Sequence, residues 1–174
     1  KSSFRLLKLP RFLYYNIFKL SHETFHIYSR YHKEKRKAFY KIIGFKKDGN
    51  VQLGDYLNKR KITNPDGIDY SYRITVKTPE GRTIQAIMMI YSLYPGYQRG
   101  KNNLFKYITT ALFEVRLKKS VWTVVTDEKG SPKPIKPSKA KGFYEQIGRN
   151  TDYIIHPEEI IADNVALLVI YKGK

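Results

Sequence analysis

The chain has 174 residues and is 41% hydrophobic, enough for one folded domain over 1–174 whose core needs no covalent staples. It has no cysteine, which excludes disulfides and thiolate metal sites, so any metal must be held by histidine and carboxylate. Thirty-three Lys and Arg against 15 Asp and Glu give a net charge of +18. A surface this basic attracts anionic partners such as nucleic acid or an anionic surface, although lysines scattered in small clusters also serve simply to solvate a protein.

No specific nucleic-acid motif is present. No apolar run is long enough to span a membrane, since Phe12 to Tyr15 is interrupted by Asn16 and Lys19. The chain reads as soluble, either secreted or cytoplasmic. Its first residue is Lys rather than Met, which fits a trimmed, processed or partial chain.

In chain order, residues 1–9 read as an irregular lead-in. Pro10 to about His32 is helical, with Tyr14, Phe18, Phe25 and Tyr28 forming an apolar stripe and Pro10 suiting a first turn. A second helix is expected over Lys35 to Ile43, stopped by Gly44. Asn64-Pro65-Asp66-Gly67 is a turn. Ile68 to Lys77 and Thr83 to Leu93 read as strands joined through Thr78-Pro79-Glu80-Gly81. Asn103 to Leu117 reads as a helix, with Leu104, Ile108, Leu112 and Val115 on one face. Val121 to Thr126 is a short strand. Gly130 to Lys141 is rich in Pro, Lys and Ser and reads as a mobile basic loop. A last helix starts near Pro157 and runs to about Val169. The class is α+β, with a small and mostly antiparallel sheet.

The chemistry-bearing run is His22-Glu23-Thr24-Phe25-His26. Two histidines four apart on a helix share a face, one turn apart, and both can reach one ion. Glu23 adjoins the first of them, as a general base for metal-activated water requires. The bland alternative is a helix with two surface histidines. A zinc site that does catalysis uses three protein ligands and keeps one open position. A downstream third candidate lies in His156-Pro157-Glu158-Glu159-Ile160-Ile161-Ala162-Asp163, where Glu159 and Asp163 are four apart on the last predicted helix. Acidic residues at 158 and 159 also suit a helix N-terminus. Asp163 is a poor helix former among apolar neighbours, which argues for a special role.

This second segment, of the form Glu-x-x-Ala-Asp, resembles the second motif of the gluzincin metallopeptidases, zinc enzymes with an HExxH helix. The two motifs cover about 20 residues, so the resemblance is local. It implies a zincin-like fold, a Zn2+ cofactor and peptide-bond hydrolysis. It implies His22, His26 and Glu159 as ligands, Glu23 as general base, and Asp163 as the residue that orients His22. The C-terminal helix would carry the third ligand. In familiar members sheet precedes the HExxH helix. Here the sheet must come largely from the long spacer between His26 and Glu159. The stretches "SHETFHIYSRYHKEKRKAFYKIIGF" and "GFYEQIGRNTDYIIHPEEIIADN" are also similar to uncharacterised bacterial metallopeptidase-like proteins.

A rival third ligand is His32, because His22, His26 and His32 have the spacing of the metzincins. In that pattern a glycine turn precedes the third His. Ser29 stands at the glycine position, which favours Glu159. Met88 and Met89 fall in a predicted strand and not in a turn. A peptide or protein substrate would need an oxyanion donor. His156 and Tyr153 are candidates, with Tyr144 and Arg149 behind them, and His156 fits equally as a helix cap. Thr83 to Leu93 is expected as an edge strand able to pair with an extended peptide. The other class of function is a non-catalytic basic module that binds nucleic acid or an anionic surface.

Overall fold

A computed structural model describes residues 10–67, 69–96 and 103–172. The predicted lead-in over 1–9 and the first position of the strand predicted from Ile68 lie outside those residues. The fold is α+β.

The first helix, α1 (Arg11–Tyr31), follows Pro10 and breaks at His32, whose φ of −118° and ψ of 65° leave the helical region. The chain resumes at once as α2 (Lys33–Ile42). Gly44 closes it at φ +82°, where a Cβ would also fall 2.3 Å from the Gln146 side chain. A short strand β1 (Val51–Gln52) and a one-turn helix α3 (Gly54–Asn58) precede the predicted hairpin. That hairpin is β2 (Arg73–Lys77) and β3 (Thr83–Ser92), in antiparallel register from Arg73 opposite Ile87 to Lys77 opposite Thr83. The predicted strand over Val121 to Thr126 is β5 (Val121–Val124).

Two expectations are overturned. Asn103 to Leu117 is not a helix. After a single 3-10 turn at Leu104–Lys106 it forms the long strand β4 (Ile108–Lys118). The same segment carries a period of two, with Ala111, Phe113 and Val115 on one face and Thr110, Leu112 and Glu114 on the other. Thr109, Thr110, Phe113 and Val115 are residues that suit a pleated surface. Pairing with β3 along Gln85 to Ser92 fixes the choice. Gly130 to Lys141 is not a free loop either. Pro134–Ile135 forms β6 against β4, and Pro137–Lys139 makes a 3-10 turn. Pro132, Ile135, Pro137 and Ala140 are buried while Lys133, Lys136 and Lys139 face solvent.

The sheet runs β1-β5-β4-β3-β2, with β6 also beside β4. Every pairing is antiparallel except β1 with β5. Alternate residues of β2, β3 and β4 build two cores. On one face Ile74, Val76, Ile84, Ala86, Met88 and Leu112 pack with Phe25, Tyr40, Ile160 and Ala162 from the helices. On the other, Ile87, Met89, Tyr91, Ala111, Phe113 and Val115 pack with Leu57 and Tyr70. A short helix, α4 (Phe143–Ile147), leads into the last one, α5 (Pro157–Lys172). β3 is thus buried at the centre of the sheet and paired on both sides, so the edge-strand expectation for Thr83 to Leu93 is also overturned. Among the described residues no helix is long and apolar enough to cross a membrane.

Candidate metal centre

α1 and α5, from opposite ends of the chain, lie against one another. Residues 22 and 26 share one face of α1, and residues 159 and 163 share one face of α5, because each pair is one helical turn apart. Pro157 starts α5 with its φ already set and no N–H to satisfy. His156 caps that helix: its Nδ1 accepts the Glu158 backbone N–H at 3.1 Å, and its Nε2–H donates to the Asp69 carbonyl at 3.1 Å. Burial pushes the His156 imidazole below its ordinary pKa, so it stays neutral in that role. With both nitrogens committed, His156 has no N–H left for an oxyanion.

At the interface three atoms converge. His22 Nε2 lies 2.9 Å from His26 Nε2 and 3.1 Å from Glu159 Oε2, and His26 Nε2 lies 3.4 Å from the same oxygen. The three residues form a group able to hold a metal ion. Each histidine is held from behind. His22 Nδ1 is 2.8 Å from Asp163 Oδ1, and His26 Nδ1 is 3.1 Å from Glu158 Oε1. With each Nδ1–H donated to a carboxylate, each Nε2 faces the shared point, where it offers a lone pair to an ion or, when the imidazole is protonated, an N–H to Glu159. Three lone-pair atoms at these separations repel unless positive charge lies between them. Ligand distances of about 2.0–2.2 Å put tetrahedral ligand atoms roughly 3.3–3.6 Å apart. The observed contacts match or fall a few tenths of an ångström short of that, so a small cation fits.

The same demand for positive charge shows in the titration of the imidazoles. His22 is raised to about 9, first by its hydrogen bond to Asp163 and then by Glu159. His26 is raised to about 10: burial opposes its charge, but hydrogen bonds to Glu158 and Glu159 outweigh that cost. Glu159 is held well below the usual carboxylate range: burial pushes the other way, and hydrogen bonds from His22, His26 and Asn64 win. The His22 side chain is 12% exposed against 3% for those of His26 and Glu159, so solvent meets the site at His22.

The outer partners were mostly invisible in the sequence. Glu158 is 1% exposed and accepts from the Ser29 and Tyr40 hydroxyls as well as from His26. Ser29, at the position where a metzincin turns on glycine, therefore serves as a donor to the residue that orients His26. Burial, then the Glu158 charge, raises the Tyr40 phenol far above its ordinary range, which keeps its proton available for that bond. Asn64 Nδ2 donates to Glu159 Oε1 at 2.6 Å. The Asn64–Gly67 turn is closed by the Gly67 N–H donating to the Asn64 carbonyl at 3.0 Å, and Arg30 on α1 ties it down through Asp66. Gly67 has no room for a side chain, since a Cβ would sit 2.3 Å from the His156 ring. Thr151 donates its hydroxyl to Asp163 Oδ2. A second acid beside Glu159 and an Asn at the head of a turn were the available signals, and neither differs locally from an ordinary helix start or turn.

The remaining candidates are dispersed. Glu23 is exposed and makes no hydrogen bond or ion pair among the described residues. Tyr153 is 48% exposed. Partial burial and then the charges of Glu159, Asp163, Asp66 and Glu23 raise its phenol above the usual value, so it keeps its O–H. Arg149 pairs with Glu145 and stands over the Tyr144 ring. His32 is exposed, its ring stacked 4.5 Å from Tyr28, and it does not join the His22–His26–Glu159 group. Comparison with models of known families, with curated proteins and with solved structures returns no match.

Proposed function

We propose that this chain is a zinc-dependent hydrolase of peptide bonds, built in a zincin-like manner with the ligand set of the gluzincins. The observation that carries the reading is the convergence of His22, His26 and Glu159, each imidazole backed by its own carboxylate. Two imidazoles, each giving up its Nε2 proton to an incoming ion, and one carboxylate are a donor set that suits zinc and leaves a position open. Zinc there supplies Lewis acidity, polarising a carbonyl and making water a nucleophile near neutral pH.

The protein's own groups do the rest. Asp163 and Glu158 keep the two histidines in one tautomer and one orientation. Asn64 keeps Glu159 turned toward the histidines. Glu23, uncommitted and next to His22, takes the proton as the water oxygen bonds to the scissile carbonyl carbon, and it passes that proton to the amine as the C–N bond breaks. The Tyr153 hydroxyl is the donor for the developing oxyanion.

Elemental analysis of the purified protein tests this reading directly. One zinc per chain is expected, lost in Glu159→Ala and retained in His32→Ala. A parent chain without zinc would refute the peptidase reading and leave the basic surface as the functional feature. Loss in His32→Ala would exchange the third ligand for a metzincin-like one. On a casein-type substrate, Glu23→Ala should lower activity at least 100-fold, the scale of general base catalysis, while zinc stays bound. Activity retained by that variant would remove Glu23 from the role of base.

A further inference from the structure

Away from the metal centre, a cavity of about 510 Å³ opens between α2, the segment 45–48 and the face of β2 and β3. Its size suits a small-molecule ligand. Five cationic side chains line it, Lys37, Lys41, Lys46, Lys47 and Arg73, with Asp48 as the single acid. Lys37 and Lys41 project from the same face of α2 one turn apart. Lys46 is brought alongside β2 by paired backbone hydrogen bonds with Arg73 at 2.8 Å in each direction.

Three of the five cations are partnered: Lys37 with Glu34, Lys47 with Asp69 and Arg73 with Asp48. The first two are part-exposed pairs of the kind that costs little to open. Lys41 and Lys46 pair with no acid among the described residues. Arg73 is the unusual member. It is only 3% exposed, its guanidinium carbon stands 3.8 Å from the Trp122 ring centre, and its buried Nε–H has no acceptor. A buried guanidinium on an aromatic wall, with an unused donor and four lysines around it, is far more positive charge than packing needs.

We propose that this cavity binds a small polyanion through clustered phosphoryl groups, a triphosphate-like moiety. A tetrahedral oxyanion accepts from several directions at once. Donors converge here from a helix, an extended segment and a strand, which a planar carboxylate cannot satisfy together. The aromatic rings of Tyr72 and Trp122 border the cavity beside these cations.

Calorimetric titration of the full chain with inorganic tripolyphosphate and, separately, with ATP tests the proposal. Saturable one-site binding is expected for both, with citrate at least tenfold weaker. The double variant Lys41→Glu/Lys46→Glu should weaken tripolyphosphate at least tenfold. The charge-matched control Lys106→Glu/Lys129→Glu, at exposed positions off the cavity, should weaken it less than threefold. Chelation of a metal ion would give the same heat in both variants, so it cannot imitate this difference. Absence of saturable binding, equal losses in the two double variants, or citrate binding as tight as tripolyphosphate would each overturn the assignment.

Discussion

Glu158 and Glu159 are adjacent and both buried, yet they do opposite things. Consecutive helical residues point about 100° apart, so Glu159 faces the Nε2 atoms of His22 and His26 while Glu158 faces back into α1 and α2. There Glu158 collects His26, Ser29 and Tyr40. Removing its charge while keeping its shape isolates its electrostatic part. Glu158→Gln should weaken zinc binding about 10–100-fold, the usual scale for partners that orient a ligand histidine. Competition with a chromophoric chelator measures it, and unchanged affinity would show that Glu158 does not tune His26. At this scale the pairing of His22 with His26, and of Glu159 with Asp163, could be read from spacing, because a four-residue step on a helix dictates a shared face. Their outer partners could not, because Asn64 and Ser29 reach the site from turns and faces that no local pattern distinguishes.

Among the elements, the start of α5 is the most demanding. His156 caps it and holds the Asp69 carbonyl, and Gly67 packs against the imidazole with no space for a methyl group. Gly67→Ala should therefore push the ring away and open both hydrogen bonds. We expect a loss of about 1–3 kcal/mol, the range for overpacking a tight contact, read from urea denaturation. A change below about 0.5 kcal/mol, the level of an ordinary surface substitution, would mean that the turn yields without disturbing the cap. β4 teaches the complementary lesson. Its apolar residues fit a helical stripe and a strand alternation alike, and only the partners β3, β5 and β6 decide between them. The basic segment 130–141 conceals its structure for a related reason: Pro132, Ile135 and Pro137 are buried, and no local period records it.

For the molecule as a whole, the candidate centre joins the first described helix to the last, with 132 residues between His26 and Glu159. A ligand that binds only the folded state stabilises it by mass action. At about a thousand times the dissociation constant, zinc should add roughly 4 kcal/mol. For a domain of this size that corresponds to a rise in Tm of about 10 °C. Differential scanning calorimetry with zinc and then with a chelator should show the rise and its reversal. A Tm indifferent to both would mean that no ion bridges the two helices.

Composition and spacing by themselves determined that this chain folds as α+β, that any metal must rest on histidine and carboxylate, and that residues 22, 26, 159 and 163 pair up along helix faces. Those are consequences of covalent order and helical pitch. Tertiary structure alone decided that the two helix faces meet, that Glu158 holds His26 and Asn64 holds Glu159, that β3 is paired on both sides, and that lysines 37, 41, 46 and 47 gather around a buried Arg73. These depend on residues far apart in sequence, brought together by burying the two faces of one sheet, and no local period encodes such a meeting.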